Sequence, residues 1–400
     1  MGVKISYMGT KHDLAPAVCD VIRHTQKGTM LDAFAGMCSV GEHMAPTRQV
    51  WSNDVQVFAA EVARALFTSR DEPIDPILTA DIHFDTFEKH RHLLTNANRR
   101  SIEAEDTLLD ASNFEIFVKQ KKILSHMRTL ELASARRHNG NLFTAIYSDS
   151  YFGVRQGIEA DSIIRAIRTA HHTGAITDDH RRWFTLGLGR ALLRIANSTG
   201  HFAQYLKPQR TSYRRFLSQR RRRLWSEWLS SCGDLHAVGT ADWRRLNKCF
   251  NQDSLLLLPS LRRNAEPVAV IYADPPYTDD QYSRYYHVFE TLVLYDYPAT
   301  SGAGLYRPNR FSSSFSLKSK AIQAFDTLVR AAANCGADLV LSYPTNGLVY
   351  ESGADPKQLL ARHYRKVECC YSLPHTHSTF GASKGSARSN VTERIYWARS

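Results

Sequence analysis

The run Pro267-Val268-Ala269-Val270-Ile271-Tyr272-Ala273 is apolar and rich in β-branched residues, and it ends on Asp274-Pro275-Pro276-Tyr277. Continuous apolar residues over this length suit a strand covered on both faces, the environment of a parallel sheet between helices. The two prolines fix φ and remove two backbone donors, so no ladder continues past them. An acid therefore stands at the carboxyl end of a buried strand, and an aromatic ring follows a rigid turn.

The same design recurs on either side. Gly28-Thr29-Met30-Leu31-Asp32-Ala33-Phe34-Ala35-Gly36 is a short apolar run closing on an acid and a glycine, and Gln49-Val50-Trp51-Ser52-Asn53-Asp54 again ends in Asp. Phe58 to Phe67 has helical composition. Downstream, Ala337 to Tyr343 reads as a strand before a Pro-Thr-Asn-Gly turn, and Thr392 to Ala398 as a final strand. Ligands of open α/β sheets bind beyond the carboxyl ends of the strands, so Asp32, Asp54 and Asp274 are expected in one crevice. Between these regions the chain turns helical and basic, with apolar residues at helical spacing over 163–168 and 183–196. The expected organisation is one doubly wound α/β core, 1–82 with 251–400, split in sequence by a mainly helical insertion over 83–250.

Charge separates the same parts. The chain of 400 residues carries a net charge of +12. Residues 83–250 hold 28 Lys+Arg against 16 Asp+Glu, while the remainder holds 23 of each. The excess points to a polyanion facing the insertion. Its densest part is Lys207, Arg210, Arg214, Arg215, Arg220, Arg221, Arg222 and Arg223, with no acid from 207 to 223 and with Tyr205, Tyr213, Phe216, Trp225 and Trp228 interleaved. Such residues neutralise phosphates and give salt-dependent affinity without reading a sequence.

Several classes are set aside. The 43% apolar and 22% charged shares are those of a soluble globular protein. No apolar run reaches the roughly 18 residues a membrane helix needs, and the first residues lack the apolar core of a signal peptide. A cytoplasmic protein with no membrane partner is expected. The seven cysteines form no Cys-x-x-Cys pair, and His375 and His377, read as part of a loop, lack obvious further ligands, so no metal is expected. Glu42 and His43 read as a helix surface, and Ser312 to Ser316 as a mobile loop.

The tetrapeptide carries the chemistry. A planar exocyclic amine is a poor nucleophile because its lone pair is delocalised into the ring. A carboxylate and a fixed backbone carbonyl, those of Asp274 and Pro275, can each accept one of its N–H groups and aim the lone pair at an electrophilic methyl, with Tyr277 stacked on the base. A base in a duplex must first leave the stack. The segment Asp32 to Gly41 has small residues for close approach but neither Gly-x-Gly-x-x-Gly nor Gly-Lys-Ser/Thr, and Asp54 stands where an acid can hold a ribose hydroxyl.

These motifs together resemble the Dam-like (alpha-group) adenine-N6 DNA methyltransferases, and within them the FokI-type members. Tyr7-Met8-Gly9-Thr10-Lys11 is similar to the family's N-terminal Tyr-x-Gly-Ser-Lys motif, and Asp32 to Gly41 to its Asp-x-Phe-x-Gly-x-x-Ser loop. Gln281 to Thr291 resembles the segment after the tetrapeptide, and Leu341-Ser342-Tyr343 a later strand motif. The resemblance covers roughly 1–82 and 251–345. It implies a Rossmann-like fold, S-adenosyl-L-methionine as cofactor, double-stranded DNA as partner, and a cognate restriction endonuclease as a further one. It also implies that Tyr7, Lys11, Asp32, Phe34, Gly36, Ser39, Asp54 and Asp253 bind the cofactor while Asp274, Pro275, Pro276 and Tyr277 act on the base. Thr10 replaces the usual Ser, and Met37-Cys38 narrows the loop. Three other readings stay open at this point: cytosine-N4 methylation, which Asp274 in place of the commoner Ser disfavours; RNA methylation; and an inactive DNA-binding relative.

Overall fold

The computed structural model describes residues 13–134, 140–262, 266–378 and 388–400, and the chain divides into two units. The first comprises Met1–Arg70, His236–Ser283 and Arg310–Ser400. Its strands are Thr29–Asp32 (β1), Val50–Asn53 (β2), Lys248–Phe250 (β3), Val268–Ala273 (β4), Asp338–Pro344 (β5), Lys366–Ser378 (β6) and Arg388–Arg399 (β7). They form one sheet in the order β3-β2-β1-β4-β5-β7-β6. β1 to β5 run parallel, and β7 lies antiparallel to both β5 and β6. Every residue of β1, β2 and β5 is buried, as strands covered on both faces require.

The covering helices follow from their periodicity. In Ala321–Asn334 the buried residues are Ala321, Ala324, Phe325, Leu328, Val329, Ala331 and Ala332, one stripe at three- and four-residue spacing. Phe325, Leu328 and Val329 share a cluster with Leu31, Ile271, Leu339 and Leu341 from the strands and Leu257 and Leu258 from Ser254–Leu261. Chain order reverses at β1, which lies between β2 and β4. A crevice opens at such a switch point, beyond the carboxyl ends of β1 and β4. Asp32 and Asp274 stand there.

The second unit, Asp71–Leu235 with Arg284–Asn309, is helical. Its long helices include Pro76–Ala97, Phe114–Ser134, Val154–His172 and Asp178–Ile195. One core gathers Leu94, Ile102, Leu108, Phe117, Val154, Ile158, Phe216 and Leu217. Buried polar groups bind its pieces. The Glu105 carboxylate accepts from the Val154 and Arg155 N–H groups at 2.8 and 3.0 Å, closing the start of Val154–His172. The Asp161 carboxylate accepts from the Phe143 and Thr144 amides, the Thr144 hydroxyl and the Tyr295 hydroxyl, and burial raises its pKa to about 6.

The boundaries therefore differ from 83, 250 and a continuous 251–400. A boundary at 83 would cut Pro76–Ala97, which starts at the Asp75 cap. Residues 236–250 belong to the sheet because they supply β3 and Arg244, whose buried guanidinium donates to the Ser69, Val238 and Gly239 carbonyls. Arg284–Asn309 returns to the helical unit, where a Cβ on Gly189 would lie 3.4 Å from the Phe289 ring. Counted by unit, the basic excess is shared: 27 Lys+Arg against 21 Asp+Glu in the helical unit, and 24 against 18 in the sheet unit. The concentration of charge over 83–250 is thus a property of the sequence window. It does not single out one structural unit.

Among the described residues no helix is long and apolar enough to cross a membrane, and no group of three or more His, Cys, Asp or Glu has the arrangement to hold a metal ion.

Candidate active site

One cleft of about 1060 Å³, open to solvent, lies within the sheet unit. Its wall includes Asp32, Phe34, Gly36, Ser39, Asp54, Asp253, Asp274, Pro276 and Tyr277, all expected from the sequence. Pro275 is buried and absent from that wall. Tyr7 and Lys11 lie outside the described residues.

The cofactor-type loop is built by its neighbours. Past β1 the chain is held by Ala33 N–H on the Tyr272 carbonyl and Ala35 N–H on the Asn53 carbonyl, each at 2.9 Å. Gly36 (φ 48°) and Cys38 (φ 66°) both take the left-handed region, which for the non-glycine Cys38 costs about 1–2 kcal/mol. The Asp54 carboxylate steadies this turn, accepting from Gly36 N–H at 3.0 Å and from Gln56 N–H at 2.9 Å. Asn53, fully buried, donates to the Ala33 and Gln252 carbonyls and the Ser254 hydroxyl and accepts from Gln252 N–H. It is the joint between β1, β2 and the start of Ser254–Leu261. Sequence reading gave weight to the acid beside it; a polar residue inside a buried strand was the available signal. Asp253 caps that helix through Leu255 N–H at 3.0 Å while also facing the cleft.

The tetrapeptide is fixed at its far end. The Tyr277 carbonyl accepts from Leu348 N–H at 2.9 Å, and its ring meets Tyr343 edge-on at 6.4 Å. Only 7% of Tyr277 is exposed.

Part of the lining was not assigned from the sequence. Gln281, Tyr282, Ser283, Phe311, Ser313, Ser314 and Phe315 also line it. The serine run expected to be a mobile loop holds a short 3-10 turn, Ser314–Ser316, with Ser313, Phe315 and Ser316 buried. Phe315 packs edge-on against Phe34 at 5.5 Å. Glu42 and His43 fall on Ser39–Met44, a helix as expected, whereas His375 and His377 fall on β6 and not in a loop.

Three acids in a partly apolar cleft repel one another. Burial raises the Asp32 pKa to about 8, the Phe34 N–H bond opposes this, and the Asp274 and Asp54 charges add to it. Burial likewise raises Asp54 to about 6 against the pull of its backbone donors. A positively charged ligand would offset part of this penalty.

Within the helical unit one member of the basic run is buried and four others form surface ion pairs. Arg220 is 5% exposed and donates to the Ser150 carbonyl at 2.8 Å, so it is unavailable to a polyanion and leaves the set of expected contacts. Arg222 pairs with Glu227 at 2.6 Å, Arg223 with Glu159 at 2.9 Å, Arg221 with Asp110 at 3.6 Å, and Arg210 with Glu115. Lys207, Arg214 and Arg215 are exposed. Glu159, Asp110 and Glu115 sit far away in sequence, so those pairings were invisible there, whereas Glu227 stands only five residues from Arg222.

The family model of the D12 class N6 adenine-specific DNA methyltransferases matches residues 7–173 and 245–339. Modification methylase LlaI of Lactococcus lactis subsp. lactis is 24% identical over 328 residues, 81% of this chain and 44% of that protein. Type II methyltransferase M.FokI of Planomicrobium okeanokoites is 23% identical over 349 residues, covering 86% and 45% of the two chains. Type II methyltransferase M.NlaIII of Neisseria lactamica is 26% identical over 200 residues, or 50% and 52%. The chain spans about half the length of these curated relatives. With more than half of its residues matched, the chain belongs to the D12 class N6 adenine-specific DNA methyltransferase family.

Proposed function

We propose that the cleft transfers a methyl group from S-adenosyl-L-methionine to the exocyclic N6 amine of an adenine flipped out of double-stranded DNA. The observation that carries this reading is the meeting, in one cleft of a family member, of Asp274-Pro276-Tyr277 with the acids that end β1 and β2.

S-adenosyl-L-methionine supplies an electrophilic methyl on a sulfonium centre, and its positive charge suits a cleft where burial, with the nearby Asp274 and Asp54 charges, raises Asp32. Asp32, Phe34, Gly36, Ser39, Asp54 and Asp253 would hold it, with Tyr7 and Lys11 added by the sequence motif. Asp274 accepts an N–H of the target amine and draws its nitrogen toward tetrahedral geometry. Pro276 and Tyr277 shape the pocket for a planar base, and the proline pair keeps the acid from drifting. The Pro275 carbonyl, the second acceptor suggested by the motif, remains a sequence-based assignment. Lys207, Arg214 and Arg215 would meet DNA phosphates directly, and the exposed Arg210, Arg221, Arg222 and Arg223 would do so by exchanging a surface carboxylate for a phosphate. A restriction endonuclease of matching specificity is the partner to seek.

Tritiated methyl transfer to duplex DNA, followed by nucleoside analysis, tests the reading. Labelled N6-methyladenine is expected, with Asp274→Ala lowering transfer by about a hundredfold or more while S-adenosyl-L-methionine still binds. Label in cytosine, label in RNA alone, or transfer undiminished in Asp274→Ala would overturn it.

A further inference from the structure

Part of the cleft lining is held by side chains doing the work of a β-ladder. The chain leaves the sheet unit after Ser283 and re-enters it at Arg310. The two strands of this stem belong to no sheet, yet three side chains lace them together. The Gln281 amide makes two of the contacts at one residue: its oxygen accepts from Ser313 N–H at 2.7 Å and its nitrogen donates to the Ser313 carbonyl at 3.3 Å. Those are the two bonds a facing peptide group makes in antiparallel pairing. Beside it, the Ser283 hydroxyl donates to the Phe311 carbonyl at 2.8 Å and the Ser316 hydroxyl to the Asp280 carbonyl at 3.1 Å. Phe311, Ser313, Ser314 and Phe315 reach the cleft as a result.

We propose that Gln281 is a positioning residue that sets the affinity of the cleft for the methyl donor. Gln281 clips the returning segment to the chain four residues past Tyr277, and so fixes where Phe315 meets Phe34, the aromatic residue of the cofactor-type loop. Neither Asp32 nor Asp54 depends on the clip, since both are held by backbone donors of their own loops. Loosening it should therefore open the wall on the cofactor side without moving the acids. The chemistry of Gln is specific here: an amide supplies one acceptor and one donor to a single peptide, which Glu, Ala or a shortened amide cannot match. The inference rests on the reading that this cleft binds S-adenosyl-L-methionine.

Isothermal titration of the full chain with S-adenosyl-L-methionine, beside steady-state methyl transfer, tests it. Gln281→Ala is expected to raise Kd and KM for the methyl donor about tenfold with kcat at saturation largely kept. Gln281→Glu, which keeps the acceptor for Ser313 N–H, should fall between wild type and Gln281→Ala. Hydrogen exchange should show the Ser313 amide losing protection in Gln281→Ala while β4 and β5 keep theirs. Unchanged Kd in Gln281→Ala, or a lower kcat at unchanged KM, overturns the proposal. If Gln281→Ala fails to fold, Gln281→Glu decides: a Kd equal to wild type counts against the clip. Absence of binding by the wild-type chain would instead strike the cofactor reading itself.

Discussion

Asp54, just past β2, and Gly36, in the turn after β1, are joined by one bond, the Gly36 N–H donating to an Asp54 carboxylate oxygen at 3.0 Å. The acid expected to hold a ligand thus also holds the turn that would cradle it. Asp54→Ala should weaken S-adenosyl-L-methionine binding about tenfold or more, since both backbone donors lose a charged acceptor. Asp54→Asn keeps one amide oxygen and should lose less. Calorimetric titration of the two variants checks this, and equal affinities in both would sink the dual role.

Asp32 makes the cleft sensitive to pH. Its carboxyl is raised from 3.8 to about 8 in the folded chain, so between these values the native state holds a proton that the unfolded chain has released. Stability from this group is therefore complete below about pH 4 and is lost as pH rises through 8. Asp32→Asn should raise the ligand-free Tm relative to wild type at pH 8 to 9, with the gap closing toward pH 4. A cation entering the cleft would lower the Asp32 pKa and release a proton. Binding enthalpies near pH 7 should then differ between buffers of unlike ionisation heat, and buffer-independent enthalpies would speak against ionisation of Asp32 on binding.

Arg220 and Arg215 stand five residues apart and should behave oppositely. Arg220 is buried, lies over the Phe216 ring at 4.6 Å, and offsets the buried Glu105. Arg220→Ala leaves that acid without its countercharge and should cost about 3–5 kcal/mol of stability. Arg215→Ala should leave the Tm nearly unchanged, as should Lys207→Ala and Arg214→Ala. Each should lower the salt dependence of DNA binding by about one unit of slope. Chemical denaturation and binding titrations over a salt series separate the two effects.

Gly347 lies against a buried ring. A Cβ there would sit 2.5 Å from a Tyr343 ring carbon, and Tyr343 is 1% exposed, its hydroxyl accepting from Val349 N–H at 3.1 Å. Gly347→Ala should cost about 1–3 kcal/mol by overpacking. Because the next residue donates to the Tyr277 carbonyl, methyl transfer should fall as well. A thermal melt with an unshifted midpoint would show that the ring can give way.

The strands that carry the acids were legible because each is buried on both faces and so reads as a continuous apolar run. β1, β2, β4, β5 and much of β7 were expected close to where they lie. β3, with three half-buried residues, and β6, interrupted by Pro374, offered no such signal. Of the site, Asp32, Asp54 and Asp274 were readable because each stands at the carboxyl end of a strand, while Asp253, which caps Ser254–Leu261, came through the family resemblance alone. The lining from the Ser313 segment was not, because Gln281 and Ser313 come together only through pairing of distant segments.

The sequence alone determined the α/β core, the order of its motifs and the presence of an acid at each critical strand end, since burial and proline chemistry act on neighbouring residues. Only the tertiary structure decided which arginines of the run from 207 to 223 are buried or ion-paired, where the two units divide, and which distant segment joins the acids in lining the cleft. Those questions turn on which distant groups share a small volume. Ion pairing, burial and side-chain lacing are set by distance in space, which the order of residues along the chain does not carry.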